Sequence, residues 1–147
     1  MKIGRKDCQD LERALSLEWL EQNGRGGFAS GTVAGAHTRR YHALLLTARK
    51  PPSERFVLVN HLEEWLAIDG QVVPLSTNLY PGAVHPTGYE HCVEFSTDPW
   101  PIWTFACNGM RLQREILLIQ GRDLAIVRWT LLGRKKQRAV LRVRPKL

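Results

Sequence analysis

The chain has 147 residues, the length of one domain, and its 44% hydrophobic and 24% charged residues are typical of a globular protein rather than of a disordered or fibrous one. Its three cysteines, Cys8, Cys92 and Cys107, have no CxxC spacing and indicate neither a disulfide framework nor a zinc knuckle. The amino terminus lacks the apolar segment of a secretory signal, and no run approaches the roughly 18 apolar residues of a membrane span. We therefore expect a cytoplasmic protein with no membrane partner.

The net charge of +7 comes from the carboxyl-terminal end. Acids and bases cancel over residues 1–133, and the basic residues that follow are Arg134, Lys135, Lys136, Arg138, Arg142, Arg144 and Lys146. Such a run is more often a solvated strand face or an exposed terminus than a binding site. Nucleic-acid binding through this end is an unfavoured alternative, because none of residues 134–147 is aromatic and able to stack on a base.

The first predicted element is a short helix or turn within residues 7–21. Apolar residues from Leu11 to Leu15 recur there at helical spacing, and Asp7 or Asp10 is placed to cap the helix. No second helix is predicted.

From residue 22 onward, glycine clusters, β-branched runs and period-two alternation predict strands joined by turns. The predicted strands are residues 31–35, 40–48, 55–68, 72–75, 90–96, 102–107, 110–120, 124–132 and 138–143. We accordingly divide the chain into an amino-terminal extension, residues 1–17, and a β domain, residues 18–147.

Two dipeptides, Asp69-Gly70 and Asn108-Gly109, predict tight hairpins because both residues of each pair tolerate positive φ. The last two strands alternate, and the residues predicted to share one buried face are Ala125, Val127, Trp129 and Leu131, then Ala139, Leu141 and Val143. Many short strands with one wet face predict an all-β fold, an antiparallel β-sandwich. No closing element follows the last strand, so we expect a sheet that is incomplete at the carboxyl-terminal end, with an open edge.

The glycine-rich stretch does not predict a nucleotide-binding site, because the segments on either side of it do not fit. Gly24, Gly26 and Ala29 satisfy the spacing G-x-G-x-x-A, but that motif requires a hydrophobic strand before it and a helix after it. Neither flank fits, so we interpret these glycines as turn residues or positions of close backbone approach.

Histidines and carboxylates give no clear metal or catalytic pattern. His37 and His42 are five apart, and on a strand they point to opposite faces unless a bulge or turn intervenes. Glu63 and Glu64 are adjacent and likewise face opposite ways, so at most one of them can project into a given site. We predict no catalytic residue, no metal site and no cofactor.

Trp100 and Trp103 flank Pro101 in a segment rich in proline. Aromatic faces on rigid loops can stack on the apolar face of a sugar ring, although core packing is the commoner role of tryptophan. Both interpretations stay open from the sequence.

Several segments together resemble the amino-terminal domain of bacterial and archaeal glycogen debranching enzymes (amylo-α-1,6-glucosidases). They are EWLEQNGRGGFASGTVAGAHTRRYHALLLT, PPSERFVLVNHLEEWLAIDG, STNLYPGAVHPTGYEHCVEF, DPWPIWTF and RLQREILLIQGRDLAIVRWTLL, in family order over nearly all of residues 18–146. Three residues differ from those that are common in the family. Arg25 stands where an aliphatic residue is common, His37 where asparagine is common, and Ala43 where glycine is common.

The resemblance implies a supersandwich-like β-sandwich that precedes an (α/α)6 barrel, and the barrel carries the acid and base that hydrolyse α-1,6-glucosidic branches. The barrel is absent from these residues, and the family's sandwich continues beyond the segment similar to LRVRPKL. We therefore expect a partial, inactive, non-catalytic domain that supports the barrel, supplied in cis or in trans, and that contacts an α-glucan such as glycogen or branched dextrin.

Candidate residues for substrate binding or for the domain interface are Asn23, Arg39, Arg40, Tyr41 and His42, together with Trp100 and Trp103. Arginine and asparagine offer paired hydrogen bonds to hydroxyl groups, but Arg39 and Arg40 on one strand would face opposite ways. A free-standing carbohydrate-binding module that uses the two tryptophans is the main alternative.

Overall fold

The computed structural model describes residues 1–133 and 138–147, which form an all-β domain with short helices near the amino terminus. The strands are β1 (Lys2–Gly4), β2 (Glu18–Gln22), β3 (Phe28–Thr32), β4 (Ala43–Lys50), β5 (Ser53–Val59), β6 (His61–Ile68), β7 (Gln71–Pro74), β8 (Thr77–Tyr80), β9 (Ala83–Thr87), β10 (Cys92–Ser96), β11 (Ile102–Cys107), β12 (Met110–Leu118), β13 (Ala125–Leu132) and β14 (Ala139–Lys146). The helices are α1 (Arg5–Cys8), α2 (Leu11–Ser16) and a 3₁₀ helix, Gly88–His91. The all-β prediction is confirmed.

The domain has two facing layers of antiparallel strands. One layer is a five-stranded sheet in the order β1-β10-β11-β12-β13. The other combines the sheet β2-β3-β4-β5 with the sheet β14-β6-β7, and a hairpin of β8 and β9 lies beside them. The two sheets of the second layer meet at Asn60, whose carbonyl accepts from the Leu44 amide at 2.7 Å and whose amide donates to the Lys146 carbonyl at 2.8 Å.

The core between the layers is aromatic at its centre. Trp103, on the five-stranded sheet, is 1% exposed, packs edge-on against Trp19 with 5.3 Å between ring centroids, and donates its indole N–H to the Val33 carbonyl at 2.9 Å. Phe95 and Phe105 are equally buried beside it. Burial of each such side chain contributes about 1.5–3 kcal/mol, and Trp103 joins the two layers through Trp19 and Val33.

Both predicted hairpins are confirmed. Asp69 and Gly70 have φ values of 48° and 84° and join β6 to β7, and Asn108 and Gly109 have values of 47° and 78° and join β11 to β12. Positive φ at both central positions gives the turn twist that matches the flanking strands. Gly24 and Gly26 also have positive φ and occupy the turn after β2, not a phosphate loop.

The amino-terminal segment is more ordered than the sequence predicts. Asp10 caps α2, because its side chain accepts a hydrogen bond from the Arg13 amide at 3.0 Å. Strand β1 and helix α1 were not predicted, and Ile3, Cys8 and Ala14 all enter the common core. The helical reading of residues 17–21 was wrong, because Trp19 on β2 packs on Trp103 and that strand pairs with β3.

Three strand predictions were wrong at their boundaries. The strand predicted over residues 31–35 ends at Thr32, because the chain turns at Gly35, where φ is +82°. The strand predicted from residue 40 begins at Ala43, and the strand predicted over residues 55–68 divides at Asn60 into β5 and β6, which belong to different sheets.

The last two strands show the predicted alternation over most of their length. Ala125, Val127, Trp129, Ala139 and Leu141 pack against the core. The expectation was wrong for Leu131 and Val143, which are 45% and 38% exposed.

Within residues 1–133 and 138–147, β13 pairs only with β12, and β14 pairs only with β6. Arg134, Lys135 and Lys136 of the basic run lie outside the described residues. No helix in the described part of the chain has the length and apolar character needed to cross a membrane.

Candidate functional site

A polar cleft of about 470 Å³ opens where the two sheets of the second layer meet. One wall is the loop between β3 and β4, the floor includes the junction at Asn60, and the opposite wall is β8. We call this site the polar cleft, and its lining residues are Gly35, His37, Arg39, Arg40, His42, Asn60, His61, Glu63, Asn78, Leu79, Tyr80 and Lys146.

The loop that forms the first wall, residues 36–42, is held by its own hydrogen bonds. The Thr32 hydroxyl donates to the Ala36 carbonyl at 2.6 Å, and the His42 amide donates to the Arg39 carbonyl at 3.1 Å. The Thr38 amide donates to His42 Nδ1 at 3.1 Å. Because Arg39 and Arg40 lie in this turn and not on a strand, they are not forced to opposite faces, and both line the polar cleft.

Glu18, on β2, anchors the loop from outside. Its Oε1 accepts a hydrogen bond from Arg39 Nε and lies 3.6 Å from His42 Nε2. The hydrogen bond from Arg39 lowers the pKa of Glu18. One carboxylate therefore contacts both ends of the turn that displays Arg39 and Arg40.

Three histidines form the inner part of the polar cleft. The His37 ring centroid lies 5.8 Å from that of His42 and 5.5 Å from that of His61, and both contacts are edge-on. His37 and His42 do not lie on one strand, because a turn at residues 39–41 intervenes and brings the two rings together. Burial lowers the pKa of His42 and of His61, and burial with the two neighbouring rings lowers the pKa of His37 to about 4. At neutral pH, these rings are uncharged donors and acceptors.

Glu63 is the acidic group of the polar cleft among the described lining residues. Its Oε2 accepts a hydrogen bond from Arg144 Nε at 2.8 Å, and its Oε1 lies 3.6 Å from Lys146 Nζ. Burial would raise the pKa of Glu63, but the contact with Arg144 more than offsets that effect, so the pKa is lowered. Glu63 is therefore an ionised carboxylate whose charge is matched by bases of β14.

Tyr80 provides an aromatic wall that the sequence did not single out as a site. It is 56% exposed at the tip of the β8–β9 hairpin. The base of the hairpin is fixed by the Gly88 amide, which donates to the Ser76 carbonyl at 2.9 Å. A Cβ atom at Gly88 would lie 2.2 Å from the Leu75 carbonyl carbon, so only glycine allows this approach.

Tyr41 lies on the far side of the same turn. It is 53% exposed, and the guanidinium carbon of Arg40 lies 5.5 Å from its ring centroid. Tyr41 lines a second groove of about 370 Å³, together with Glu18, Trp19, Leu20, Phe28, Ser30, Arg39, Arg40 and His42. The turn at residues 39–41 is thus a ridge between two grooves.

Asn23 is placed where it cannot reach a ligand. It is 0% exposed, its Oδ1 accepts from the amides of Arg25 and Gly27 at 2.8 and 3.0 Å, and its Nδ2 donates to the Arg122 carbonyl and to Asp123 Oδ1 at 3.2 and 2.9 Å. These four bonds use its full capacity, so its role is to hold the turn after β2.

The two tryptophans lie apart from the polar cleft. Trp103 is buried in the core, so the suggestion that it stacks on a sugar was wrong, because its ring has no accessible face. Trp100 is partly buried and donates its indole N–H to Glu115 Oε1 at 3.0 Å, and it does not line the cleft. Arg128 holds the same carboxylate at 2.6 and 2.8 Å.

The side chains that line the polar cleft are of the kinds that bind a ligand. Among the described residues, Glu63 is the single carboxylate that lines the polar cleft, and Glu64 points into the core, where Arg114 and Trp129 bind it at 2.6 and 2.7 Å. No group of three or more His, Cys, Asp or Glu residues within the described ranges could hold a metal ion. The cleft offers an exposed aromatic face, guanidinium donors, amides and neutral imidazoles.

A family model described as "Glycogen debranching enzyme N terminal" matches residues 17–147. The chain belongs to this family. The matched range begins just before β2 and so includes every residue that lines the polar cleft of this debranching-enzyme N-terminal domain. Neither a curated protein nor a solved structure matches the chain.

The departures from the usual family wording fall in different parts of the domain. Arg25 lies in the turn after β2 and donates to the Gly121 carbonyl at 3.3 Å, whereas Ala43 is fully buried at the start of β4. His37 lies in the polar cleft.

Proposed function

We propose that this domain supports the catalytic domain of a glycogen debranching enzyme by holding part of an α-glucan chain in the polar cleft while an α-1,6 branch is hydrolysed elsewhere. The family match supports the enzyme context. The observation that supports the assignment to the cleft is the ridge at residues 39–41, which shares the cleft with Tyr80, the histidines, Asn60 and a charge-matched Glu63.

The chemistry of the cleft fits an uncharged, hydroxyl-rich ligand. A sugar ring has an apolar face that packs on an aromatic ring, and hydroxyl groups that both donate and accept. Tyr80 offers the aromatic ring, and Arg40 offers hydrogen-bond donors. The side-chain amides of Asn60 and Asn78 offer both donors and acceptors. Within the described residues, no hydrogen bond or ion pair engages the Arg40 guanidinium, so its donors are available.

The absence of a second carboxylate in the described lining supports a non-catalytic role for the cleft. Glycoside hydrolysis requires two carboxyl groups placed across the scissile bond. Glu63 has its charge matched by Arg144 and Lys146 instead. The proposal therefore assigns hydrolysis to a separate catalytic domain and expects no glucose release by this chain alone. It also places the chain in the cytoplasm, because its three cysteines are free thiols.

The test introduces Arg40→Ala and Tyr80→Leu at the matching positions of a complete homologous debranching enzyme. Each change removes one contact to the glucan, so we expect kcat/KM on branched dextrin to fall about tenfold, as loss of about 1.4 kcal/mol would cause. Tyr80→Phe keeps the ring and should retain most of the activity. Arg111→Ala, at an exposed position on β12, is the matched control and should leave kcat/KM unchanged.

Contact with the catalytic domain is the competing role for the same residues. If the cleft binds glucan, the variants change kcat/KM and leave the melting temperature of the complete enzyme unchanged. If the variants lower the melting temperature and leave kcat/KM on branched dextrin unchanged, the cleft is a domain interface and the glucan assignment is wrong. Titration of the isolated chain with maltooligosaccharides, followed by calorimetry, gives an independent measure of binding.

A further inference from the structure

Two of the three cysteines meet where the amino-terminal segment packs on the five-stranded sheet. Cys8 ends α1 and Cys92 begins β10, and their exposed fractions are 0% and 1%. The two side chains are close enough for each thiol to shift the pKa of the other. Only burial shifts the pKa of Cys107, which it raises to about 11, so among the described residues this third thiol has no comparable neighbour.

Backbone contacts on both sides fix Cys8 opposite Cys92. Strand β1 runs antiparallel to β10 with Gly4 opposite Glu94, so the chain that continues into α1 passes beside the start of β10. Beyond Cys8, the Gln9 side chain donates to the Glu90 carbonyl at 2.6 Å. The pair of thiols is therefore bracketed by one contact before it and one after it.

The local hydrogen bonds make the two thiols unequal. Cys8 Sγ lies 3.8 Å from the Ile3 carbonyl, and Cys92 Sγ lies 3.5 Å from the Glu94 carbonyl. The contact between the two thiols lowers the pKa of Cys8 and raises the pKa of Cys92. Cys8 is thus the sulfur that ionises first, and Cys92 is the one that keeps its proton.

We propose that Cys8 and Cys92 are a redox-sensitive pair, which hydrogen peroxide converts into a disulfide that ties α1 to β10.

The reaction follows the ordinary chemistry of thiols with peroxide. The Cys8 thiolate attacks one peroxide oxygen, the O–O bond breaks and hydroxide leaves, which gives a sulfenic acid on Cys8. The Cys92 sulfur then attacks the Cys8 sulfur, the S–S bond forms, and the S–O bond breaks with loss of water that takes up the Cys92 proton. Overall, two thiols are oxidised and one peroxide is reduced to two molecules of water.

Access to the buried pair requires only local opening. Strand β1 has three residues and pairs with β10 alone at the sheet edge. Separation of residues 1–9 therefore withdraws Ile3 and Cys8 from the core and leaves the packing of Trp103 on Trp19 in place. A disulfide would then hold this segment closed. It would also constrain the unfolded chain, because Cys8 and Cys92 are far apart in sequence.

The experiment treats the reduced full chain with hydrogen peroxide, blocks the remaining thiols with N-ethylmaleimide under denaturing conditions, and maps the peptides by mass spectrometry without reduction. We expect a Cys8–Cys92 cross-linked peptide, a mass lower by two hydrogen atoms before blocking, and Cys107 blocked as a free thiol. The oxidised protein should melt about 5 °C or more above the reduced protein.

Three variants separate the pair from general oxidation. Cys107→Ser should form the disulfide as the parent chain does, whereas Cys8→Ser should not form it. Cys92→Ser should stop at the Cys8 sulfenic acid, which dimedone labels. The proposal is overturned if Cys8 and Cys92 both stay thiols under peroxide, including at urea concentrations that loosen the amino-terminal segment but leave the core folded, or if either one joins Cys107 instead.

Discussion

Two adjacent carboxylates on β6, Glu64 and Glu63, lie in different environments, one in the core and one in the polar cleft. Glu64 points between the layers, where it is 0% exposed and bound by Arg114 and Trp129, and the Arg114 guanidinium carbon lies 4.1 Å from the centre of the Trp103 ring. Glu63 points into the polar cleft, where its partner Arg144 is 61% exposed. The same chemical group is structural on one face and available for recognition on the other, because water reaches its partners on only one face.

The most direct test of the difference between Glu64 and Glu63 is to remove each carboxylate in turn. Glu64→Gln leaves the Arg114 charge buried without its counter-ion, so we expect a loss of about 3–5 kcal/mol in the free energy of unfolding, measured by urea denaturation. Glu63→Gln, next to it on the same strand, should lose about 1 kcal/mol or less. Equal losses in the two variants would show that burial does not distinguish the two sites. The double variant Glu64→Leu/Arg114→Met should recover part of the stability, because no buried charge remains.

The histidines of the polar cleft make the stability of the domain depend on pH. The pKa of His37 falls from 6.5 in the unfolded chain to about 4 in the folded protein, so below pH 6.5 the unfolded state binds more protons. Stability is therefore complete above pH 6.5 and is lost as the pH falls towards 4, by up to about 3 kcal/mol. Glu18 and Glu63 add to acid instability only below their ordinary pKa of 4.5, because their folded pKa values are lowered.

The measurement is the free energy of unfolding at several pH values between 7 and 4.5. His37→Gln should flatten this dependence, and His85→Gln, at an exposed position, should leave it as it is. If His37→Gln keeps the full slope, the cleft ring is not the group that resists protonation.

Asn23 tests whether a candidate site residue is structural. Asn23→Ala leaves the amides of Arg25 and Gly27 without their acceptor, and we expect the free energy of unfolding to fall by about 2–3 kcal/mol. Asn78→Ala, in the polar cleft, should cost about 0.5 kcal/mol or less. A larger loss for Asn78 than for Asn23 would reverse the assignment of the two amides.

The smallest expected effect concerns the anchor of the cleft loop. Glu18→Gln removes the charge that holds Arg39 and His42. His42 is buried, but the ion pair between Glu18 and Arg39 is exposed, so the free energy of unfolding should change by about 0.5 kcal/mol or less. Hydrogen exchange of the Thr38 and His42 amides should nevertheless become faster, because the loop loses its outer contact. Unchanged exchange would mean that the loop's own hydrogen bonds are sufficient.

The sequence predicted best where one residue determines the local geometry. The Asp69-Gly70 and Asn108-Gly109 turns follow from residue chemistry alone, and the Asp10 cap was one of two candidates. The resemblance to the family extended the prediction to the all-β fold as a whole. The sequence predicted least where distant segments meet. Tyr80 joins the cleft because a hairpin that ends near Gly88 packs on the Leu75 backbone, and no spacing in the sequence encodes that approach.

The error at residues 31–42 had a physical cause that the sequence could have revealed. Residues 31–35 and 40–42 were predicted as strand, although β3 ends at Thr32 and the chain turns at Gly35, where φ is positive. That turn brings His37 and His42 together and puts Arg39 and Arg40 on one ridge. Trp103 was uncertain from the sequence because a buried tryptophan and a sugar-stacking tryptophan have the same local pattern.

Because an ion pair with Glu18 holds the cleft loop, the salt concentration of the buffer should affect how tightly the cleft binds a ligand. Arg39 is 69% and Glu18 36% exposed at their side chains, so dissolved ions weaken their attraction. The ridge would then be less well ordered before it meets a glucan, and the entropy lost on association would increase. Even a neutral oligosaccharide should therefore bind less tightly as sodium chloride is added, and Glu18→Gln should remove that sensitivity.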